Sequence, residues 1–220
     1  MTFQKDGPGQ DSAVFQWCPI RSLAPRHRDR IAAHLLALDE QDRHLRFGYA
    51  AGDGHIGRYV DQLDFDRDEV FGVFNRRLEL IAMAHLAYLG QDIRRPSSAE
   101  FGVSVLPRAR GRGIGARLFE RAALHARNRG IDTLIIHALN ENRPMLHIVR
   151  EAGAVIQSEG PEATARLRLA PDDLSSQLRE LLETQAAVFD YGIKVHARRV
   201  GDILDVFRPI TAPHDTRSPD

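Results

Sequence analysis

The sequence predicts an α/β (α+β) fold, a mixed and partly parallel sheet with helices on its faces. Two observations carry this. The apolar runs 70–75 and 78–89 meet at Asn75-Arg76-Arg77, which reads as a hairpin. From residue 99 onward the pattern alternates strand, helix, strand, helix, the order that places two strands in parallel.

Each element has its own signal. Residues 14–23 read as a strand, and Pro25 sits where a helix can start, followed by Ile31, Leu35, Leu36 and Leu38 at roughly helical spacing. Short helical stretches cover 42–50 and 56–63, and 99–106 is a strand. In the helix 113–130, Gly115, Leu118, Phe119, Ala122 and Ala126 form one apolar stripe, and Gly130 supplies the C-terminal cap. Residues 133–139 are a short apolar strand. The helix 142–153 sets Met145, Ile148, Val149 and Ala152 on one face, with His147 turned to solvent. Two closing strands, 155–157 and 164–169, precede a helix at 172–191 whose apolar side carries Leu174, Leu178, Leu181, Val188 and Phe189.

Composition narrows the function classes. The 220 residues carry 30 Lys+Arg and 30 Asp+Glu, a formal net charge of zero, which argues against a protein that coats a polyanion. One cysteine, Cys18, excludes an internal disulfide framework and a cysteine-rich metal site. The first residues are polar and no apolar run approaches the ~20 residues of a membrane helix, so the expectation is a cytoplasmic protein with no membrane partner. The expected domain scheme is a frayed 1–13, a main domain at 14–170, a helical extension at 171–208 and a frayed 209–220. The apolar stripe of the extension needs a cover, its own domain or a second subunit, and a homodimer is expected.

The most informative stretch is VSVLPRARGRGIGA, residues 103–116. A strand runs into a loop with three glycines (Gly111, Gly113, Gly115) and three arginines (Arg108, Arg110, Arg112), and a helix starts there. Glycines let the backbone approach a ligand and adopt positive φ, and the free N–H groups of the first helical turn point at an anion. Arginines add charge-assisted donors. The loop is no P-loop, because GxxxxGK[ST] is missing. It matches the dinucleotide fingerprint through Gly111, Gly113 and Ala116, but Pro107 to Arg110 separates strand from glycine and Asp132 precedes the next strand rather than closing it.

RGRGIG, residues 110–115, resembles the [QR]-x-x-G-x-[GA] pyrophosphate loop of the GNAT N-acetyltransferase superfamily. The preceding AEFGVSVLP is similar to the strand that carries that family's acyl-CoA contacts, and NRPMLHIVREAG resembles its N-x-x-A-x-x-L-Y-x-x-x-G helix. The resemblance implies a GNAT-like central sheet of about seven strands flanked by helices, plus a C-terminal extra helix, and acetyl-CoA as donor. By carry-over, Val103, Ser104 and Val105 lie along the cofactor arm. Arg110, Gly111, Arg112, Gly113, Ile114, Gly115 and Ala116 cradle the pyrophosphate. Asn140, Asn142 and Met145 sit near the splayed strand ends. In the family the two central parallel strands separate and admit the cofactor.

Acetyl transfer to an amine needs a neutral nucleophile, and deprotonating a lysine-like amine at pH 7 costs about 4.6 kcal/mol. Glu100, three residues before Val103, is the candidate general base, directly or through a water. AEF with the following glycine loop resembles the bacterial protein-lysine acetyltransferase-like subgroup, where a glutamate at this spacing is the proposed base. A backbone N–H near Val103 to Val105 would stabilise the oxyanion. Many family members protonate the leaving thiolate with a tyrosine at the position of Val149; here that group is absent, and Ser104 is an alternative. A thiol with a pKa of about 8.5 also leaves without a dedicated acid.

DRHLRF, ending in Arg46 and Phe47, resembles the RF segment of the same subgroup; the two residues either border the substrate entrance or pack between helices. Asp61, Asp64, Asp66, Asp68 and Glu69 either attract a cationic acceptor or, the reading preferred, form a solvated acidic loop; they are not an EF-hand, since Glu69 stands where the loop glycine belongs. The ten histidines show no metal spacing, so no metal is expected. The basic stretch 108–112 lacks interleaved aromatics, so no nucleic acid is expected. Three functions follow: an N-acetyltransferase acting on a protein lysine or a small amine, an acyl-CoA sensor without turnover, and a dinucleotide oxidoreductase.

Overall fold

Near-continuous burial along the central strands, with alternate side chains falling into two separate clusters, shows a sheet with an apolar layer on each face. The structure, a computed structural model, describes residues 19–90 and 97–169. The chain runs β1 (Ile20–Ser22), a 3-10 turn (Pro25–His27), α1 (Arg28–Leu36), α2 (Glu40–Phe47), α3 (Asp53–Gln62), β2 (Glu69–Phe74) and β3 (Leu80–Leu89). It continues with β4 (Ser98–Val105), a second 3-10 turn (Pro107–Ala109), α4 (Ile114–Asn128), β5 (Thr133–Leu139), α5 (Arg143–Glu151), β6 (Val155–Glu159) and β7 (Glu162–Arg168). The seven strands form one sheet in the order β1-β2-β3-β4-β5-β7-β6. Among these pairs only β4 and β5 are parallel.

Odd-numbered Phe71, Ala99 and Phe101 face α4 and α5 and pack with Leu118, Phe119, Leu134, Ile136 and Val149. The other face packs Val70, Phe74, Leu80 and Met83 against Ile31 and Leu35 of α1 and Ile56 and Val60 of α3. Leu80 and Met83 share that face although three residues apart. The register shift opposite Val73/Phe74 inserts an extra residue between them.

The hairpin lies where the sequence places it, but β3 starts at Leu80 rather than at residue 78. Leu78 has φ 60°, a left-handed conformation that cannot extend a strand, and Asn75 Oδ1 accepts from the N–H groups of Arg77 and Glu79 at 2.9 Å each to hold the turn. Two apolar assignments are corrected. Leu36 is 42% exposed, because α1 turns Ile31 and Leu35 inward instead. Ala152 is exposed and Leu146 is buried, since α5 ends at Glu151 and Ala152 is only its C-cap.

The acidic loop is also corrected. Asp64 caps its turn through the N–H groups of Asp66 and Arg67, while Asp68 and Glu69 are partly buried and pair with His85 and His125. The expected strand before Ile20, the helix 172–191 and both termini lie outside the described residues. Among the described residues no helix is long and apolar enough to cross a membrane, and no three metal-ligating side chains converge.

Candidate functional site

The parallel pairing of β4 with β5 is short. It covers Ser98, Ala99 and Glu100 against Thr133, Leu134 and Ile135, and it stops there. Beyond Glu100 each strand stays bonded to its outer neighbour, β4 to β3 as far as Val105 and β5 to β7 as far as Leu139. The sheet therefore opens as a wedge towards the C-terminal ends of β4 and β5. Leu106 donates its N–H to Ile81 O at 3.0 Å. Antiparallel alternation then turns the peptide groups of Val103 and Val105 away from β3 and into the wedge. A cleft of about 500 Å³ occupies it, lined by 100–103, 136–139, Asn142, Met145 and the end of α2.

The glycine loop sits at the mouth. Gly113 is the residue before α4 and has φ 68°; Gly111 has φ 72°. An L side chain strains there, so glycine is what lets the chain reverse into the helix. The α4 terminus has no side-chain cap and no acidic residue in its first turn. Its leading N–H groups have no partner within the helix and face outward, an arrangement that suits a phosphate. Ile114 is buried and anchors the turn, while Gly111, Arg112 and Gly113 are exposed; Gly115 and Ala116 are partly covered. This fits the pyrophosphate of a CoA carrier.

Several residues have duties inside the protein. Arg110 donates Nε to Val105 O at 3.1 Å and pairs through Nη2 with Asp42 of α2. Its guanidinium thus ties the loop to α2. Ser104 is buried, with Oγ 2.8 Å from Nε2 of His34. The carbonyl of Leu80, 3.0 Å from His34 Nδ1, can only accept, so Nδ1 holds the proton and Nε2 accepts from Ser104. Burial lowers the His34 pKa to about 4 and keeps the ring neutral. The Ser104 hydroxyl is therefore committed to the α1 layer. Asn140 donates to Gly160 O at 2.8 Å and accepts from Ser158, bracing the β6–β7 turn. Asn142 caps α5 by accepting from Met145 N–H at 3.2 Å.

Glu100 is exposed and lines the cleft. Arg46 and Phe47 line it from α2 and also stack, with the guanidinium 5.1 Å from the Phe47 ring and 5.6 Å from that of Tyr59. The RF segment therefore packs between α2 and α3 and also lines the cleft. Behind Arg46 runs a chain that the sequence did not reveal. Arg46 Nη2 donates to Tyr59 Oη at 3.0 Å, Tyr59 Oη lies 2.9 Å from His85 Nδ1, and His85 Nε2 lies 3.1 Å from Asp68 Oδ2. His137 and Glu162 complete the cleft wall. The one sequence signal for the chain is Gly102 inside β4, since a strand glycine marks a close approach. A Cβ at Gly102 would stand 2.6 Å from Arg46 Nη1.

Comparison with known proteins adds to this geometry. Residues 32–154 match the family described as Acetyltransferase (GNAT) family. No curated protein matches the chain. Among solved structures, the GNAT domain of S. lividans PAT superposes with a TM-score of 0.58 at 21% identity, covering 68% of this chain and 89% of that one. An N-acetyltransferase from Staphylococcus aureus Mu50 gives 0.54 at 14% identity, covering 70% and 100%. The yncA protein from Salmonella typhimurium, solved with its cofactor acetyl-CoA, gives 0.54 at 14% identity, covering 72% and 97%. At these identities the likeness is one of fold.

Proposed function

Because the chain belongs to the acetyltransferase (GNAT) family, we propose that it is an N-acetyltransferase that moves the acetyl group of acetyl-CoA to a primary amine, with Glu100 as general base. The observation that carries this is the wedge: β4 and β5 part just beyond Glu100, and the uncapped end of α4 stands at the opening. The first-turn N–H groups of α4 and the backbone of Gly111 to Gly113 would hold the pyrophosphate, with Arg112 beside them. The peptide groups of Val103 and Val105 would line the pantetheine arm, and an N–H among them would face the acetyl oxygen. Asn142 and Met145 would border the arm from α5.

Acetyl-CoA supplies the acyl group as a thioester. Glu100 takes one proton from the acceptor ammonium, directly or through a water, and frees the nitrogen lone pair; as the C–N bond forms and the C–S bond breaks, the second proton on nitrogen passes through water to solvent or to the departing thiolate. Val149 is fully buried and carries no exchangeable proton. The thiolate is therefore released without an acid at that position, which a thiol pKa near 8.5 permits. Arg110 acts through position, holding the loop against α2.

Thiol release from acetyl-CoA across a panel of primary amines tests the reading. Turnover that falls about 10²- to 10⁴-fold in Glu100→Gln, with CoA binding retained by calorimetry, supports it. CoA binding without turnover for any amine overturns it in favour of an acyl-CoA sensor. Stabilisation by NAD(P) and not by acetyl-CoA points to an oxidoreductase instead.

A further inference from the structure

We propose that Arg46 reads a carboxylate on the acceptor, and that the acceptor is a small amino acid whose amine and carboxylate are joined by a short spacer. The inference rests on the reading of the wedge as the acyl-transfer site and names the substrate class that fits it.

Four observations support it. Among the described residues no carboxylate lies within ion-pair distance of Arg46, although it lines a cleft that also holds Glu100 and Glu162. Its Nε is buried without a hydrogen-bond partner and is closed to any ligand, so a ligand in the cleft meets the group through its Nη atoms. A partly buried guanidinium with no counter-charge is costly unless a ligand supplies the anion.

The group is also built to stay where it is. Arg46 can only donate, so the Tyr59 oxygen accepts from it. Asp68 can only accept, so His85 Nε2–H donates to it, and Tyr59 Oη and His85 Nδ1 share the bond between the two ends. The chain is thus fixed in direction at both ends, and it finishes on a carboxylate that also accepts from Tyr88 N–H at 3.2 Å. Phe47 and Tyr59 flank the guanidinium plane, and Gly102 leaves the space it lies in. A side chain needed only for packing requires no such orientation.

Position gives the spacer. Glu100 and Gly102 are two residues apart on the same face of β4, roughly 7 Å along the strand. An α-amino acid holds its amine and carboxylate roughly 3 Å apart, and with a hydrogen bond of about 2.9 Å set at an angle at each end it bridges that separation. The amine then faces Glu100 and the carboxylate faces Arg46.

The test pairs L-phenylalanine with phenethylamine, L-lysine with cadaverine and L-tryptophan with tryptamine, within a screen of all L-amino acids. The readouts are thiol release and calorimetric binding to the CoA-loaded protein, for wild type, Arg46→Met and Arg46→Lys. The expected result is a wild-type kcat/KM at least about tenfold higher for the amino acid of at least one pair, lost in Arg46→Met and partly kept in Arg46→Lys, which retains the charge without the fork. Decarboxylated amines or a blocked peptide lysine turning over as well as every amino acid overturn the carboxylate and leave the transferase reading standing. Amino-acid binding that needs Arg46, without turnover of any amine, upholds the carboxylate site and overturns the transferase. Absence of both binding and turnover for every amino acid overturns the carboxylate site.

Discussion

Arg110 of the glycine loop and Asp42 of α2 form an ion pair across the mouth of the wedge, with the arginine side chain 49% exposed and the aspartate 7%. The asymmetry in burial makes the two partners unequal. Removing Arg110 leaves a buried carboxylate whose Oδ2 already has no partner. Removing Asp42 leaves a half-exposed guanidinium that water can serve. Arg110→Ala is therefore expected to cost about 1–3 kcal/mol and Asp42→Ala less. Both free the loop, so both raise the KM for acetyl-CoA several-fold. Thermal melts and initial rates for the two variants check the order.

His34 makes stability depend on pH in a defined window. Its pKa is about 4 in the folded chain against 6.5 as the ordinary value, because burial disfavours the charged ring. The unfolded chain binds the proton first as pH falls, so stability is full above about 6.5, drains down to about 4 and levels below it. His27 is lowered to about 4 as well, by burial and by Arg26, Arg21 and Arg30, and acts in the same direction. For His34 alone the loss is on the order of 3 kcal/mol. Urea melts at pH 7, 5.5 and 4 measure it, and a midpoint unchanged from 7 to 4 rules it out.

Gly113→Ala separates backbone strain from crowding. Nothing lies within 4 Å of a Cβ built there, yet φ is 68°. The penalty is conformational, about 1–2 kcal/mol. Relief of that strain turns the first N–H groups of α4 out of line, so CoA affinity is expected to fall about tenfold or more. Calorimetry with CoA on the variant reads this directly.

What the sequence made legible was whatever lies within one element or one turn. The run 133–139 matches β5 end to end, because Gly130 and Asp132 punctuate one side and Asn140 the other. The Gly113 turn was legible because its glycines and the helix start are contiguous. Asn140 was not: its partners, Gly160, Ser158 and Glu162, lie on the β6–β7 turn, and no local pattern announces that pairing. The Arg46–Tyr59–His85–Asp68 chain draws on α2, α3, β3 and the loop before β2. Only the register of β3 on β4, His85 opposite Gly102, brings it to the cleft. Asp68 looked like one acid among five because burial, which sets it apart, is a property of the fold.

Gly102→Ala tests whether β4 tolerates a side chain for its own sake. The added methyl would stand 2.6 to 2.8 Å from the Arg46 guanidinium, the far end of a flexible side chain. Arg46 can withdraw, but it then gives up the Tyr59 bond and its stacking. Alanine stabilises a strand interior by roughly 0.5–1 kcal/mol over glycine, which offsets much of that loss. The melting temperature is thus expected to move little. The preference for an amino acid over its decarboxylated amine is expected to fall by about tenfold, as in Arg46→Met. A variant that melts normally and keeps the wild-type preference would show that the guanidinium can sit elsewhere and still bind the acceptor, and the role given to its place over Gly102 would be wrong.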